Sequence, residues 1–331
     1  MTVLHRLPSV TALVVLLAIP AILAQQLWLP SSAGVFMLGA LPSAIAVVVV
    51  GAKRAIQIAV AAALGGAVAA AFAGNAWVGA ILIAAMAGYG GYSARYGNES
   101  PVLLVPVVVS FIVIAPPDLV DRSGTTLTGL QYAFVISAAL LIGGTWVAIV
   151  GLYLARNMER AVDEPVEESV ALGYGIALAA STGVATFVAA RYFPGSTGAW
   201  VILTILLVMK PRATDMWRTA RHRVGGTLLG ALVAGGLVLG MSVAGIPLES
   251  WALILGAVFL IIALSVLRVQ PYWQFVTFLT PAIILLKSSG DDTLRLDGQR
   301  VVMTLIGTLM ALGFAVLVRE INHRVMAVRS P

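Results

Sequence analysis

The chain has 331 residues, 60% of them hydrophobic and only 10% charged, with a mean hydropathy of +1.01. Soluble domains carry about 25% charged residues, so this composition excludes an ordinary water-soluble fold and calls for the bilayer as solvent. The absence of cysteine excludes disulfides, thiolate metal sites and cysteine nucleophiles. The net charge of +6 sits at the ends of apolar runs and is no nucleic-acid signature.

Helical spans are expected, to within several residues, at about 8–29, 32–51, 55–73, 76–93, 101–117 and 128–152 in the first half of the chain. In the second half they fall at about 169–190, 197–210, 224–244, 250–267, 272–287 and 299–318. The apolar runs are continuous rather than alternating, which favours helices over a membrane barrel. The first run follows Arg6 but reads as a span rather than a cleaved signal sequence. Ile22 stands where cleavage requires a small residue. The fold class is therefore all-α: a polytopic membrane protein of about twelve transmembrane helices.

Basic residues set the orientation. Fifteen of the 20 fall in one alternate set of loops: Arg6, Lys53, Arg54, Arg95, Arg156, Arg160, Lys210, Arg212, Arg218, Arg221, Arg223, Arg268, Arg319, Arg324 and Arg329. The other set holds Arg122, Arg191, Lys287, Arg295 and Arg300. The positive-inside rule places both termini in the cytoplasm of a cell-membrane protein.

The one strongly polar linker, Arg156 to Ser169, falls near the middle. It divides the chain into a first six-helix repeat (1–155), a charged cytoplasmic linker (156–168) and a second six-helix repeat (169–331). The halves resemble each other. "LPSSAG" ends at Gly34 and "FPGSTG" at Gly198, 164 residues on. Each is followed by a short span, a basic turn and a Gly/Ala-rich helix. Pro106 and Pro281 each interrupt the fifth span of their half, and Trp77 and Trp251 open the fourth. With six helices per half, the repeats run parallel.

The second half also carries Trp200, Thr204, the Met209-Lys210-Pro211 turn and "RHRVGGTLLGALVAG" from Arg221 to Gly235. This stretch resembles the fusaric acid resistance-like family, which includes the aromatic acid exporters. The matching positions are Trp200, Pro211, His222, Arg223, Gly226, Thr227 and Gly230, and Arg300 through Gly307 is similar to the family's last helix. The resemblance covers about residues 196–318. The first half lacks the Pro turn and the Arg-x-x-Gly-Thr signature, and is similar only as a degenerate copy. The plant aluminium-activated malate channels look like distant relatives. What the resemblance implies is export of small organic anions, above all aromatic carboxylates, by a transporter or channel-like permease and not an enzyme.

The residues support candidate roles directly. Gly226, Thr227 and Gly230, with Gly65 and Gly66 in the first half, form small faces for close helix packing. Two such helices could meet at the axis between the halves. The turn from Lys210 to Arg223 sets five cations, including Arg221, against one acid, Asp215. It reads either as a topogenic loop or as a cationic vestibule, with Lys53 and Arg54 as the opposite wall. Arg300 lies within the last span and needs a carboxylate, a cavity or a passing anion. Lys287 can snorkel, and Asp291, Asp292 and Asp297 could neutralise both. Pro281, with Tyr272, Trp273, Phe275 and Phe278 nearby, offers a stacking surface for an aromatic acid or ordinary packing.

No acid is expected deep within a span, and His5, His222 and His323 all sit at span ends. There is no phosphate loop and no metal-ligand spacing, so neither ATP nor a cofactor is called for. The expected partners are a small organic anion and the lipid bilayer, with no nucleic acid; a homo-oligomer is compatible with this reading. Two alternatives stand beside it. One is a membrane scaffold or assembly subunit of an envelope complex. The other is a major-facilitator-type carrier, against which "VVGAKRAIQ" lacks that fold's characteristic turn.

Overall fold

The computed structural model describes residues 3–17, 19–27, 30–97, 99–120, 124–154, 164–194, 197–246, 248–267, 269–287 and 293–329. Fourteen α-helices run through them. In the first half these are α1 (Val3–Leu17), α2 (Ile19–Leu27), α3 (Ala33–Val50), α4 (Ala52–Ala71), α5 (Ala76–Tyr92), α6 (Glu99–Val102), α7 (Leu104–Ile114) and α8 (Gly129–Leu154). In the second they are α9 (Glu168–Tyr192), α10 (Ala199–Val208), α11 (Ala213–Val243), α12 (Leu248–Val266), α13 (Tyr272–Lys287) and α14 (Thr293–Arg329). The only β pairing among the described residues is an isolated bridge between Val120 and Thr126.

Seven helices are long and apolar enough to cross a membrane, and five shorter apolar helices accompany them. In hydrocarbon an unpaired backbone amide costs several kcal/mol, so each crossing segment closes its hydrogen bonds within itself. Turns between segments are short for the same reason. Gly51, at φ 92°, separates α3 from α4 without a loop. Asn75 caps α5 by accepting from the amides of Trp77 and Val78 at 3.1 and 3.2 Å. The α7–α8 loop is pinned to the start of α3 by the Ser31 hydroxyl, which donates to the Val120 carbonyl and accepts from its amide.

Helices associate through glycine. The most extensive pair is α5 with α9, where a Cβ on Gly91 would lie 2.7 Å from the Gly175 Cα and one on Gly175 would lie 2.7 Å from the Gly88 carbonyl. In lipid there is no hydrophobic drive between helices, so such backbone approach supplies the attraction. Around this pair α8 packs on α3 and α4, α13 packs on α11 and α12, and α14 packs on α10 and α11. Further contacts cross between the halves, among them α1 against α12 and α7 against α10 and α9.

Several sequence expectations shift. The small faces of α4 and α11 do not meet. Each packs inside its own half, because α5 and α9 occupy the contact between halves. Span 224–244 begins far earlier, at Ala213, giving a helix ~46 Å long. The two prolines are not equivalent interruptions. Pro281 lies inside α13, whereas Pro106 sits in the first turn of α7, where its missing N–H costs no helical bond. The fifth span also starts earlier than expected, so Glu99 opens α6 with its side chain buried. Residues 155–163 of the charged linker and Arg268, Asp291 and Asp292 lie outside the described residues.

Replacing Gly175 with valine should force α5 and α9 apart. A lower thermal unfolding temperature in detergent, equivalent to ~1–3 kcal/mol, is the expected outcome. An unchanged midpoint would show that the close approach contributes nothing.

Candidate functional site

The segment between α10 and α11 is built around Pro211. A proline disfavours helix in the residues before it, and α10 ends at Val208 with Met209 extended at ψ 129°. The freed Met209 carbonyl accepts a 2.9 Å hydrogen bond from the Tyr174 hydroxyl of α9. Helix α11 then runs from Ala213 without interruption.

Its first three turns divide the cations. Arg212 is exposed and pairs with Glu164 at 2.8 Å, Arg218 pairs with Asp215 at 3.0 Å, and Arg221 is exposed. Lys210 and Pro211 are half-buried. The turn is therefore not opposed by Asp215 alone, since the linker supplies Glu164. Lys53 is exposed and Arg54 half-buried at the start of α4. A second ionic contact holds the linker's end, where Glu168 accepts from Arg95 at 2.8 Å and from the Tyr92 hydroxyl at 2.7 Å.

Arg223 is different from the rest of the turn and corrects its reading as a loop cation. It is fully buried, at 0% exposure, two turns further into α11 than Asp215. Its Nε and Nη1 have no hydrogen-bond partner among the described residues. One turn on, the Thr227 hydroxyl is likewise buried and unpartnered. Gly226 and Gly230 face α13: a Cβ on Gly226 would lie 2.6 Å from the Trp273 carbonyl, and one on Gly230 would lie 2.6 Å from that of Thr277 and 3.2 Å from Pro281 Cδ. On an ideal helix Thr227 lies about 100° round from Gly226. The Arg223–Thr227 stripe therefore flanks the glycine face, and the remaining partners of α11 are chiefly α14 and α10.

On α14, Arg300 is 2% exposed and stacks its guanidinium 4.0 Å from the centre of the Trp200 ring of α10. Phe111 of α7 meets the same indole edge-on at 5.5 Å. The stack thus joins both halves, and Phe111 was not legible as part of it from the sequence. Between the two arginine levels, Thr204 of α10 packs at Gly307 of α14, where an added Cβ would lie 2.7 Å from the Thr204 Cβ. The Thr204 hydroxyl is buried without a partner, and Thr304 and Thr308 are buried on α14. Helices α10, α11 and α14, which pack on one another, therefore each carry buried guanidinium or hydroxyl groups inside an apolar bundle.

The aromatic cluster on α13 is less coherent than its spacing implied. Phe275 is buried 6.0 Å from the Tyr272 ring, while Trp273 turns outward. In the first half, Gly65 faces Met86 and Val109, and Gly66 faces Leu140 and Ile112. The side chains of Lys287, Asp297, His5 and His323 lie outside the described residues. No group of His, Asp or Glu suited to a metal occurs among the described residues.

The sequence model of the family described as fusaric acid resistance protein-like matches residues 170–314. Over these residues the chain is similar to the fusaric acid resistance-like family. No curated protein and no solved structure matches it. The matched region contains α10, α11, α12 and α13 whole, and includes Trp200, Arg223 and Arg300.

The Arg300–Trp200 stack should behave as an energetic unit. A double-mutant cycle combining Trp200→Leu with Arg300→Met should give a coupling of ~1 kcal/mol in unfolding. Strict additivity would separate the two residues.

Proposed function

We propose that the protein is a multi-pass membrane transporter that exports small organic anions, with aromatic carboxylates as the substrate class. The carrying observation is Arg223, a guanidinium taken wholly out of solvent whose Nε and Nη1 find no acceptor in the described protein. Burying a charge without a partner costs several kcal/mol. A chain keeps such a group where a passing anion or its hydration water supplies the acceptor. The family assignment points to membrane export independently.

In this reading α11 brings Arg223 in from the cytoplasmic end and α14 brings Arg300 in from the outer end. An anion moves between the two guanidinium groups and exchanges water for the unpartnered hydroxyls of Thr204 and Thr227. Exposed Lys53, Arg218 and Arg221 raise the local anion concentration at the cytoplasmic mouth, an effect that salt screens. Trp200, held flat under Arg300, gives the ring of an aromatic acid a face to slide on. No ATP, metal or other cofactor is called for, and the chemistry is transport rather than catalysis.

The proposed frame is twelve crossings arranged as two parallel six-helix repeats in the cytoplasmic membrane, with both termini inside. Seven helices long and apolar enough to cross, with five shorter apolar helices beside them, support this reading. The packing supports the symmetry: the first helix of each half lies against the fourth of the other, α1 on α12 and α9 on α5.

Liposomes containing the protein should take up radiolabelled 4-hydroxybenzoate saturably. Arg223→Gln and Arg300→Gln should each lower the rate at least tenfold. Arg221→Ala should lower it two- to threefold, and only at low salt. No flux above empty vesicles for benzoates or malate, with folded protein, would sink the transport reading and favour a scaffold. The absence of native cysteine makes topology directly measurable. Cysteines at Glu167 or Arg221 should react with an impermeant maleimide only from the cytoplasm, and those at Asn75 or Thr126 only from outside. Labelling of Asn75 and Glu167 variants from the same side would break the twelve-crossing frame.

A further inference from the structure

The two halves share a set of buried positions that carry different chemistry. Shifting by 164 residues superimposes the buried face of α4 on that of α11: Ala52, Ala59, Ala62, Ala63, Gly66 and Ala70 become Met216, Arg223, Gly226, Thr227, Gly230 and Ala234, every one buried. The same shift carries the buried face of α8 onto α14. Gly143 would place a Cβ 2.4 Å from the Phe36 carbonyl of α3, and Gly307 would place one 2.8 Å from the Val201 carbonyl of α10, one residue past the counterpart of Phe36. One register therefore aligns three helices of each half without a gap.

In that register the seam of the second half has a twin without charge, where the Ser43 hydroxyl beside Gly144 is a buried polar group. Arg223 corresponds to Ala59, Thr227 to Ala63, Thr204 to Ala40, Thr308 to Gly144 and Arg300 to Ile136. All five positions of the first half are buried and carry no polar side chain. The twin is also closed: a Cβ on Gly144 would lie 2.5 Å from the Ala59 methyl, so α4 and α8 touch along it. In the second half an arginine and a threonine stand where that methyl and that glycine meet. Helices α11 and α14 accordingly pack less extensively than α4 and α8. A methyl-on-glycine contact has no room for an ion and nothing to hold one. A buried guanidinium beside threonine hydroxyls has both the charge and the donors.

We infer that the chain holds one anion seat, not two: it lies in the second half between α10, α11 and α14, is centred on Arg223, and takes a carboxylate-sized anion, while the equivalent seam of the first half is an uncharged strut. This rests on the transport reading above and assigns its binding step to one half. The first half contributes Phe111 edge-on against Trp200, and α5 to the contact with α9, so it braces the seat rather than duplicating it.

The test is equilibrium dialysis of radiolabelled benzoate against the full-length chain in detergent. Flux of the same anion is measured in liposomes alongside. One benzoate should bind per chain. Arg223→Gln should weaken binding at least tenfold and Thr227→Val at least threefold. Ser43→Ala, which removes the buried hydroxyl beside Gly144 in the first half, should leave it unchanged. Replacing a buried arginine by a neutral group is often tolerated, and Thr227→Val gives a second readout if Arg223→Gln does not fold. Two benzoates per chain, or binding that survives in whichever of these two variants folds, overturns the single seat while measurable flux keeps the transport reading. Loss of binding in Ser43→Ala equal to that in Thr227→Val also overturns it. Absence of both flux and binding removes the transport reading and the seat together.

Discussion

Inside hydrocarbon a polar group has no water to fall back on, and that constraint orders this structure. Backbone amides close within helices, side-chain hydroxyls turn back on their own helix, and helix ends use whatever donor is at hand. The threonines show it plainly. Thr182, Thr277, Thr280 and Thr308 each bond the carbonyl four residues behind, at 2.6–2.9 Å. Against that background, groups that bond to nothing stand out. Arg223, Thr227 and Thr204 are such groups, and they lie on neighbouring helices.

The same constraint explains why glycine carries the packing. Apolar side chains gain nothing by leaving lipid for each other, so affinity comes from close backbone approach. The α5–α9 pair reaches that limit at Gly88, Gly91 and Gly175. Two ionic contacts at the linker, Arg95 with Glu168 and Arg212 with Glu164, add a polar seam where water is available again. Both are exposed on the carboxylate side, and such pairs contribute little individually. They fix where the linker returns to the bundle rather than how strongly the halves adhere.

Much of the architecture was legible because lipid imposes length and composition. Apolar runs, proline turns and capping residues such as Asn75 announced where helices begin and end, and the second half's Trp200 to Gly230 stretch announced its family. Reading failed where a residue's role depends on which side of a helix it occupies. Arg223 follows Arg218 and Arg221 in sequence and looks like one more loop cation. The helical period turns it inward, while Arg221, two residues earlier, faces out. The small faces of α4 and α11 were visible, but not their partners, since glycine marks a surface for approach without naming what approaches. Phe111 carried no signal, because an aromatic in an apolar run is ordinary until a tryptophan from another helix lies across its edge.

The sequence by itself determined the solvent, the helical class and the likeness of the second half to the fusaric acid resistance-like family. Each of these is a property of composition or local order, which the bilayer reads directly. The tertiary structure alone decided that α5 and α9 join the halves, that Arg300 lies over Trp200, and that α11, with the buried Arg223 and Thr227, packs on α10, which carries the buried Thr204. These are contacts between residues far apart in the chain. They depend on which helix faces meet, and in lipid that choice is made by the fit of small and large side chains rather than by hydrophobicity, which is nearly uniform along every segment.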